Sequence, residues 1–182
     1  LSKTLGHQLL IGEYKGLKPW GVSFGQTRLI KGKEDQSSAD FDGLDVQFAP
    51  ISSLFNRRLV AVFTPKGTVL NLIRNKEGSY WVFGSSKGEG SRRVGLRFRF
   101  NDSSKIFLNP SNIEINAIGQ LDLILDESKL RGKFLLDLPQ KGSLDLKVGG
   151  NWNKLNFQAQ AGLKDFRLSS LGGVIPENLN LQ

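Results

Sequence analysis

Few side chains in this sequence are of the types that catalyse reactions. His7 is the single histidine, and the chain contains no cysteine. A Ser-His-Asp triad would therefore depend on His7, which lies in a short leading segment. Thiolate catalysis, cysteine-ligated zinc and disulfide bonds are excluded. We expect no enzymatic activity, no cofactor and no bound metal.

Asp40, Asp42 and Asp45 form an acidic cluster, and clustered carboxylates can bind calcium. A calcium-binding loop that starts at Asp40 needs glycine at its sixth position and glutamate at its twelfth. Those positions hold Asp45 and Ile51, so a solvated turn explains the cluster better. The glycine-rich run 84–90 likewise lacks the Gly-Lys-Ser/Thr ending of a phosphate-binding loop.

The chain is basic, with 25 Lys and Arg against 17 Asp and Glu and a net charge of +8. Such a charge favours anionic partners, either nucleic acid or lipid headgroups. In the segment 93–100, Arg93, Arg97 and Arg99 alternate with Phe98 and Phe100. A strand would turn the rings away from the arginines, whereas base stacking needs both on one surface. We therefore expect no nucleic-acid partner.

Apolar and polar residues alternate through the second half of the chain, in the segments 94–100, 113–125, 130–138, 144–148 and 155–163. A period of two is typical of strands with one apolar and one polar face. The connections after residue 125 are short, so neighbouring strands should run antiparallel. The segment 113–125 would span about 40 Å, roughly twice an ordinary strand. The pattern predicts a mainly β protein built as a long antiparallel meander.

Glycine and proline interrupt the alternation in the first half. Residues 44–48, 59–63 and 68–73 predict strands, residues 49–58 predict a short helix or turn, and residues 2–11 predict a short N-terminal helical turn that leads into a strand. The run 84–93 is rich in glycine and serine and predicts a flexible hinge. We therefore divide the chain into an N-terminal β-region (1–83), the hinge (84–93) and a repeating β meander (94–182).

The first 83 residues carry motifs that resemble TamB-like proteins of the AsmA-like superfamily, in their cyanobacterial and plastid branch. A glycine-punctuated opening pattern is matched by Gly12, Tyr14, Gly16, Leu17, Trp20, Val22, Phe24 and Gly25. The strand-to-helix pattern that follows is matched by Leu44, Val46, Phe48, Pro50, Leu54, Phe55 and Arg57. A Gly-x-Trp-Val hairpin is matched, with one extra residue, by Gly78, Trp81 and Val82. Residues 94–171 match the family in the style of their repeats.

The resemblance implies an open, taco-shaped β-groove with an apolar interior. It also implies a periplasmic or intermembrane-space protein that carries phospholipid between inner and outer membranes. The family is anchored in the inner membrane and associates with outer-membrane assembly barrels. This sequence lacks both the anchor helix and the C-terminal region that contacts the barrel, so we expect it to be a fragment.

We predict that one apolar face lines such a groove and contacts phospholipid acyl chains. The predicted lining residues are Trp20, Val22, Phe24, Val94, Leu96, Phe98, Phe100, Ile113, Ile115, Leu121, Leu123, Phe134, Leu136, Leu146, Phe157 and Leu163. An aspartate at Ile115 or Leu123 should then block lipid passage, because a charge in an apolar site is costly. Two alternatives stay open: a structural scaffold, and a chaperone-like module that binds strands of outer-membrane proteins during assembly or import.

Overall fold

The computed structural model describes residues 7–31, 36–75, 93–111, 113–138, 142–151, 153–154 and 156–164. Within these residues the chain forms one mixed sheet of 13 strands. The strands of the first half are β1 (Gln8–Leu10), β2 (Tyr14–Lys18), β3 (Gly21–Phe24), β4 (Thr27–Ile30), β5 (Ser38–Phe41), β6 (Gly43–Phe48), β7 (Leu59–Lys66) and β8 (Val69–Ile73). Those of the second half are β9 (Val94–Asn109), β10 (Ile113–Ile124), β11 (Lys129–Asp137), β12 (Ser143–Asn151) and β13 (Asn156–Lys164).

Strands β9 to β13 pair in chain order, and every pair among them is antiparallel. This confirms the meander that the alternation predicted. Strand β10 contains 12 residues and β9 contains 16, so both exceed the ordinary length of about 5–6 residues. A 3-10 turn at Leu125–Glu127 connects β10 to β11, and the other connections between these strands are only a few residues long.

The strands of the first half combine into four long ribbons, each interrupted once. The ribbons are β1 with β2, β3 with β4, β5 with β6, and β7 with β8. On one side of the interruptions the pairing order is β1-β4-β5-β8, and on the other side it is β2-β3-β6-β7. The interruptions lie side by side, because the N–H of Gly25 donates to the carbonyl of Glu13 (2.8 Å) and that of Asp42 to Lys66 (2.9 Å). We call this line of interruptions the crease. Interruptions of this kind bend and twist a sheet locally.

Gly67 shows why the crease needs glycine. Its φ is 55°, and a Cβ at this position would lie 2.0 Å from Oδ2 of Asp42 in the neighbouring ribbon. A left-handed backbone favours glycine, and a side chain here would also displace the Asp42 carboxylate.

Strands β7 and β8 run parallel to β9. The antiparallel meander predicted for the second half is therefore joined to the first half by parallel pairing. A parallel pair needs a crossover of roughly a dozen residues or more, and the connection 74–93 is long enough to bring the chain back to the starting end. Strands on both sides of the predicted hinge thus belong to one sheet. The hinge itself, apart from Arg93, lies outside the described residues.

The helix of the described region is α1 (Pro50–Asn56), where the sequence predicted a helix or turn. Proline at the first position suits a helix start, and Arg57 ends the helix with a φ of 49°. The helix packs on β7, where the N–H of Val60 donates to Oγ of Ser53 (2.9 Å). The N-terminal helical turn was predicted for residues that lie largely outside the described part, and Gln8–Leu10 form β1.

The sheet curls into an open half-barrel, which confirms the predicted mainly β groove architecture. Strands β1 and β13 end the path of pairing and do not meet. All described strands belong to this one sheet, so no second sheet among the described residues covers either face. No described helix has the length and apolar character needed to cross a bilayer.

Candidate functional site

One face of the curled sheet is apolar from strand to strand, and we call it the apolar face. Its centre lies on β9 and β10, where Leu96 pairs with Leu123 and Phe98 pairs with Leu121. Because side chains directly opposite each other in a register share a face, the pairing extends the apolar face outward in both directions. The opposite, polar face carries the intervening residues of each strand.

Towards the C-terminus, the apolar face continues across β11, β12 and β13. Phe134 pairs with Leu146, and Leu146 pairs with Ala161. Phe134 also lies close to Phe100 on β9, with ring centroids 6.3 Å apart. The aliphatic and aromatic surface therefore runs unbroken to the last described strand.

Towards the N-terminus, the same face crosses the parallel joint. Phe63 on β7 pairs with Phe98, and the two rings stack with centroids 5.1 Å apart and planes inclined at 21°. Phe63 in turn pairs with Val46, and Val46 with Val22. A buried cluster of Leu44, Phe63, Leu96 and Leu123 joins both halves of the sheet.

Beyond the crease, a second buried cluster of Leu29, Ala39 and Phe41 lies on the same face. The register leads to it from Ile115 through Ile106, Leu70 and Ala39. Ile115 and Leu123 stand on the same strand at odd positions, so the two clusters share one face. The apolar face thus extends along the strands as well as across them.

Glycines on the apolar face let aromatic rings lie close against the sheet. Gly119, Gly132 and Gly150 stand on three neighbouring strands among large apolar residues. A Cβ at Gly119 or Gly132 would lie 2.7 Å from the ring of Phe134, and one at Gly150 would lie 2.5 Å from the ring of Phe157. The rings therefore lie across the glycines instead of standing upright. This leaves open space above the sheet.

The structure places the predicted lining residues on one face, with one exception. The register connects Val22, Phe24, Val94, Leu96, Phe98, Phe100, Ile113, Ile115, Leu121, Leu123, Phe134, Leu136, Leu146, Phe157 and Leu163. Trp20 lies apart from them, in the turn between β2 and β3, with a φ of 62° and a side chain that is 70% exposed. That these residues contact lipid stays a prediction.

Sequence reasoning predicted Val22 and Phe24 but missed other lining residues, which include Leu44, Val46, Phe63 and Leu70 of the first half and Ile106 on β9. Their segments alternate in the same way as those of the second half. The signal was present, but the crease shifts the phase of each ribbon between its two strands. A single period therefore does not connect Leu44 with Ala39, although both lie on the apolar face.

The polar face is held by charged pairs between strands. Nε of Arg97 on β9 lies 2.6 Å from Oδ1 of Asp122 on β10. At the end of the sheet, Arg58 contacts Asp126 (3.2 Å) and Glu127 (2.7 Å). Hydrogen bonds from Arg58 and Lys129 lower the pKa of Glu127 to about 2. The arginines are therefore committed to neighbouring carboxylates, which agrees with a structural role.

Asp45 is the most constrained carboxylate of the polar face, with a side chain that is 8% exposed. It accepts hydrogen bonds from Nζ of Lys18 (2.5 Å) and Oγ of Ser23 (2.6 Å), and it lies 3.2 Å from Nζ of Lys66. Partial burial raises the pKa of Asp45, but the hydrogen bonds from Lys18, Ser23 and Lys66 outweigh burial and lower it to about 2. Asp45 therefore ties together β2, β3, β6 and β7.

We expect acid to destabilise the sheet through Asp45. The folded pKa of about 2 lies below the ordinary value of 3.8, so ionised Asp45 contributes roughly 2 kcal/mol of stability above about pH 5. This contribution is lost as the pH falls through about 2. Urea unfolding followed by circular dichroism should show that Asp45→Asn is less stable than the parent at about pH 6. The gap should close near pH 2, and a gap independent of pH would contradict this assignment.

His7, the candidate for a catalytic triad, and Asp40, a candidate for calcium binding, both have structural partners. Nδ1 of His7 donates a hydrogen bond to the carbonyl of Ile30 (3.0 Å), and the His7 side chain is buried. Oδ1 of Asp40 lies 2.8 Å from Nε of Arg28. Across the described ranges, no three histidine, aspartate or glutamate side chains come close enough to hold a metal ion.

The fold and this face define a class of protein: an open, curled β-sheet with a continuous apolar face. No known protein family, curated protein or solved structure matches the chain. The likeness to TamB-like proteins therefore rests on the motifs quoted above. Of these, Gly12 and Gly25 lie at the crease and Pro50 begins α1, whereas Gly78, Trp81 and Val82 lie outside the described residues.

Proposed function

We propose that this chain is part of a bridge that carries phospholipid between two membranes, with acyl chains lying on the apolar face. The observation that carries the proposal is a continuous apolar face on an open half-barrel that no second described sheet covers. Burying one methylene group gains about 0.8 kcal/mol. Such a face therefore favours acyl chains, while the headgroups stay in water at the open side.

The sequence motifs extend this proposal to a cellular setting. By analogy with TamB-like proteins, the trough would stand in the periplasm or intermembrane space and would be anchored to the inner membrane. An outer-membrane assembly barrel would be a partner of a region C-terminal to it. The structure supports the trough, and the motifs support its setting.

Lipid should accompany the purified chain. Native mass spectrometry of the chain, after expression in bacteria and purification without detergent, should reveal complexes that are heavier by one or more phospholipids. Lipids extracted from the same sample should be identified by chromatography. Because an apolar face would contact acyl chains and not headgroups, we expect a mixture that reflects the host membrane. A single mass equal to the bare chain would contradict the proposal.

A structural scaffold is the second candidate, and strand β13 is the observation that favours it. Every residue of β13 is exposed, and among the described strands β13 pairs with β12 alone. An open strand edge can pair with another chain. A scaffold predicts a lipid-free mass, whereas a chaperone-like module predicts that extended peptides, and not phospholipids, compete for the chain.

A further inference from the structure

An exposed apolar patch lies at one end of the sheet, where the apolar face ends: Leu17 pairs with Val22, and Leu59 pairs with Val94. It is formed by the turn between β2 and β3, by α1 and by the start of β7. Its large side chains are Leu17, Trp20, Ile51, Leu54, Phe55 and Leu59, all more than half exposed. These pieces adjoin, because the N–H of Phe48 donates to the carbonyl of Trp20 (2.8 Å) immediately before α1 begins. We call this surface the end patch.

The end patch is larger than the scattered apolar residues normal on a surface. Leu54 and Phe55 are 77% and 82% exposed, and no described residue of α1 is buried. Helix α1 therefore contributes little to the core, although it is held on β7 through Ser53. A rigidly presented group of tryptophan, phenylalanine and leucine side chains is typical of an interaction surface.

The charges around the end patch indicate what it contacts. Arg57 follows α1, and Arg93 precedes β9, where its carbonyl accepts the N–H of Leu59 (2.9 Å); both residues are exposed. The carboxylates described at this end, Asp126 and Glu127, are already held by Arg58 and Lys129. Among the described residues at this end, the charges that remain without an opposite partner are therefore positive. They complement an anionic surface.

We propose that the end patch docks on an anionic phospholipid bilayer, with its apolar side chains in the interface and the basic residues among the headgroups. Tryptophan is enriched at membrane interfaces, and apolar side chains flanked by arginine or lysine are typical of segments that lie in the interface. Docking would place this end of the apolar face directly at the membrane. The docking itself rests on the end patch and does not require lipid transport.

Flotation with vesicles tests the proposal. The chain should float with vesicles of phosphatidylcholine and phosphatidylglycerol, and less with phosphatidylcholine alone, and added salt should weaken the binding. The double variant Leu54→Ser/Phe55→Ser should bind at least about tenfold more weakly. Leu135→Ser removes an exposed leucine in the middle of the polar face and should bind like the parent. The variant Arg57→Glu/Arg93→Glu should lose the preference for anionic vesicles.

Two results would overturn the docking proposal. One is equal flotation of the parent and Leu54→Ser/Phe55→Ser. The other is a parent that is dimeric in size-exclusion chromatography and a variant that is monomeric, with neither protein binding vesicles. The end patch would then be a contact between copies of the chain. The phospholipid that co-purifies with the chain distinguishes this proposal from the transport proposal. The variant Leu54→Ser/Phe55→Ser should keep that phospholipid, because the apolar face is unchanged. A chain that floats but carries no lipid would leave docking intact and reject transport.

Discussion

Replacing Leu146 by aspartate should reduce the phospholipid that co-purifies with the chain by at least about tenfold, or about 1.4 kcal/mol in binding free energy. Leu146 is half-buried in the middle of the apolar face, between Phe134 and Ala161. A carboxylate there either loses its hydration beneath an acyl chain or keeps water in the groove. Either outcome removes the favourable burial on which lipid retention depends.

Gln160→Asp is the matched control. Gln160 lies on the neighbouring strand, is exposed and pairs with Lys147 on the polar face. Gln160→Asp introduces the same charge on the strand next to that of Leu146, but on the opposite face of the sheet. Lipid content by native mass spectrometry should equal that of the parent, and thermal unfolding should confirm that both variants are folded. Equal lipid loss in the two variants would show that charge, and not the apolar face, controls binding.

Leu146 is a better test than the two positions that the sequence suggested. Ile115 and Leu123 are 9% and 3% exposed, and both belong to the tightly packed part of the face. Aspartate at either position would bury a charge and unfold the sheet. A loss of lipid would then report the loss of structure. Leu146, which is half-buried and belongs to neither buried cluster, carries the functional test instead.

Gly119→Ala should destabilise the protein by about 3 kcal/mol, the upper end for backbone strain or overpacking at one site. A Cβ at Gly119 would lie 2.3 Å from the carbonyl oxygen of Lys133 and 2.9 Å from Cα of Phe134. These are backbone atoms of the neighbouring strand, so they cannot move without breaking the pairing of β10 with β11. The melting temperature should fall by roughly 5–10 °C for a chain of this size.

Gly162→Ala provides the comparison for this prediction. A Cβ at Gly162 on β13 would have no atom within 4 Å, so the change should stay within about 0.5 kcal/mol of the parent. Differential scanning calorimetry of the two variants and the parent measures the difference. If Gly119→Ala has the same melting temperature as the parent, β10 and β11 do not approach each other as closely as described. The ring of Phe134 would then not lie close against the sheet at Gly119, contrary to our inference.

Much of the second half of the fold was predictable, because its information is local. The alternation in β10 to β13 specifies which side chains share a face, and the short connections leave antiparallel pairing as the available arrangement. Arg97 and Phe98 accordingly lie on opposite faces, as expected. The helix at Pro50 was also predictable, since proline at a helix start and a preceding strand mark the boundary.

The first half was less predictable because its ribbons break at the crease. Within one strand, residues an even number of positions apart share a face. Each interruption shifts this alternation by one residue, so Ala39 and Leu44 lie on the same face although they are an odd number of positions apart. The parallel joint between β7 and β9 was hidden for a similar reason. Connection length permits either direction when it reaches about 20 residues, and nothing local in β7 or β9 selects one.

The sequence by itself determined the strands of the meander, their apolar and polar sides and the absence of cysteine chemistry. Only the tertiary structure decided that the two halves form one curled sheet, that Phe63 stacks on Phe98 across the joint, and that Trp20 joins an exposed patch at the sheet end. The physical reason is that side-chain alternation acts along one strand. Curvature, strand order and exposure arise from contacts between residues far apart in the chain.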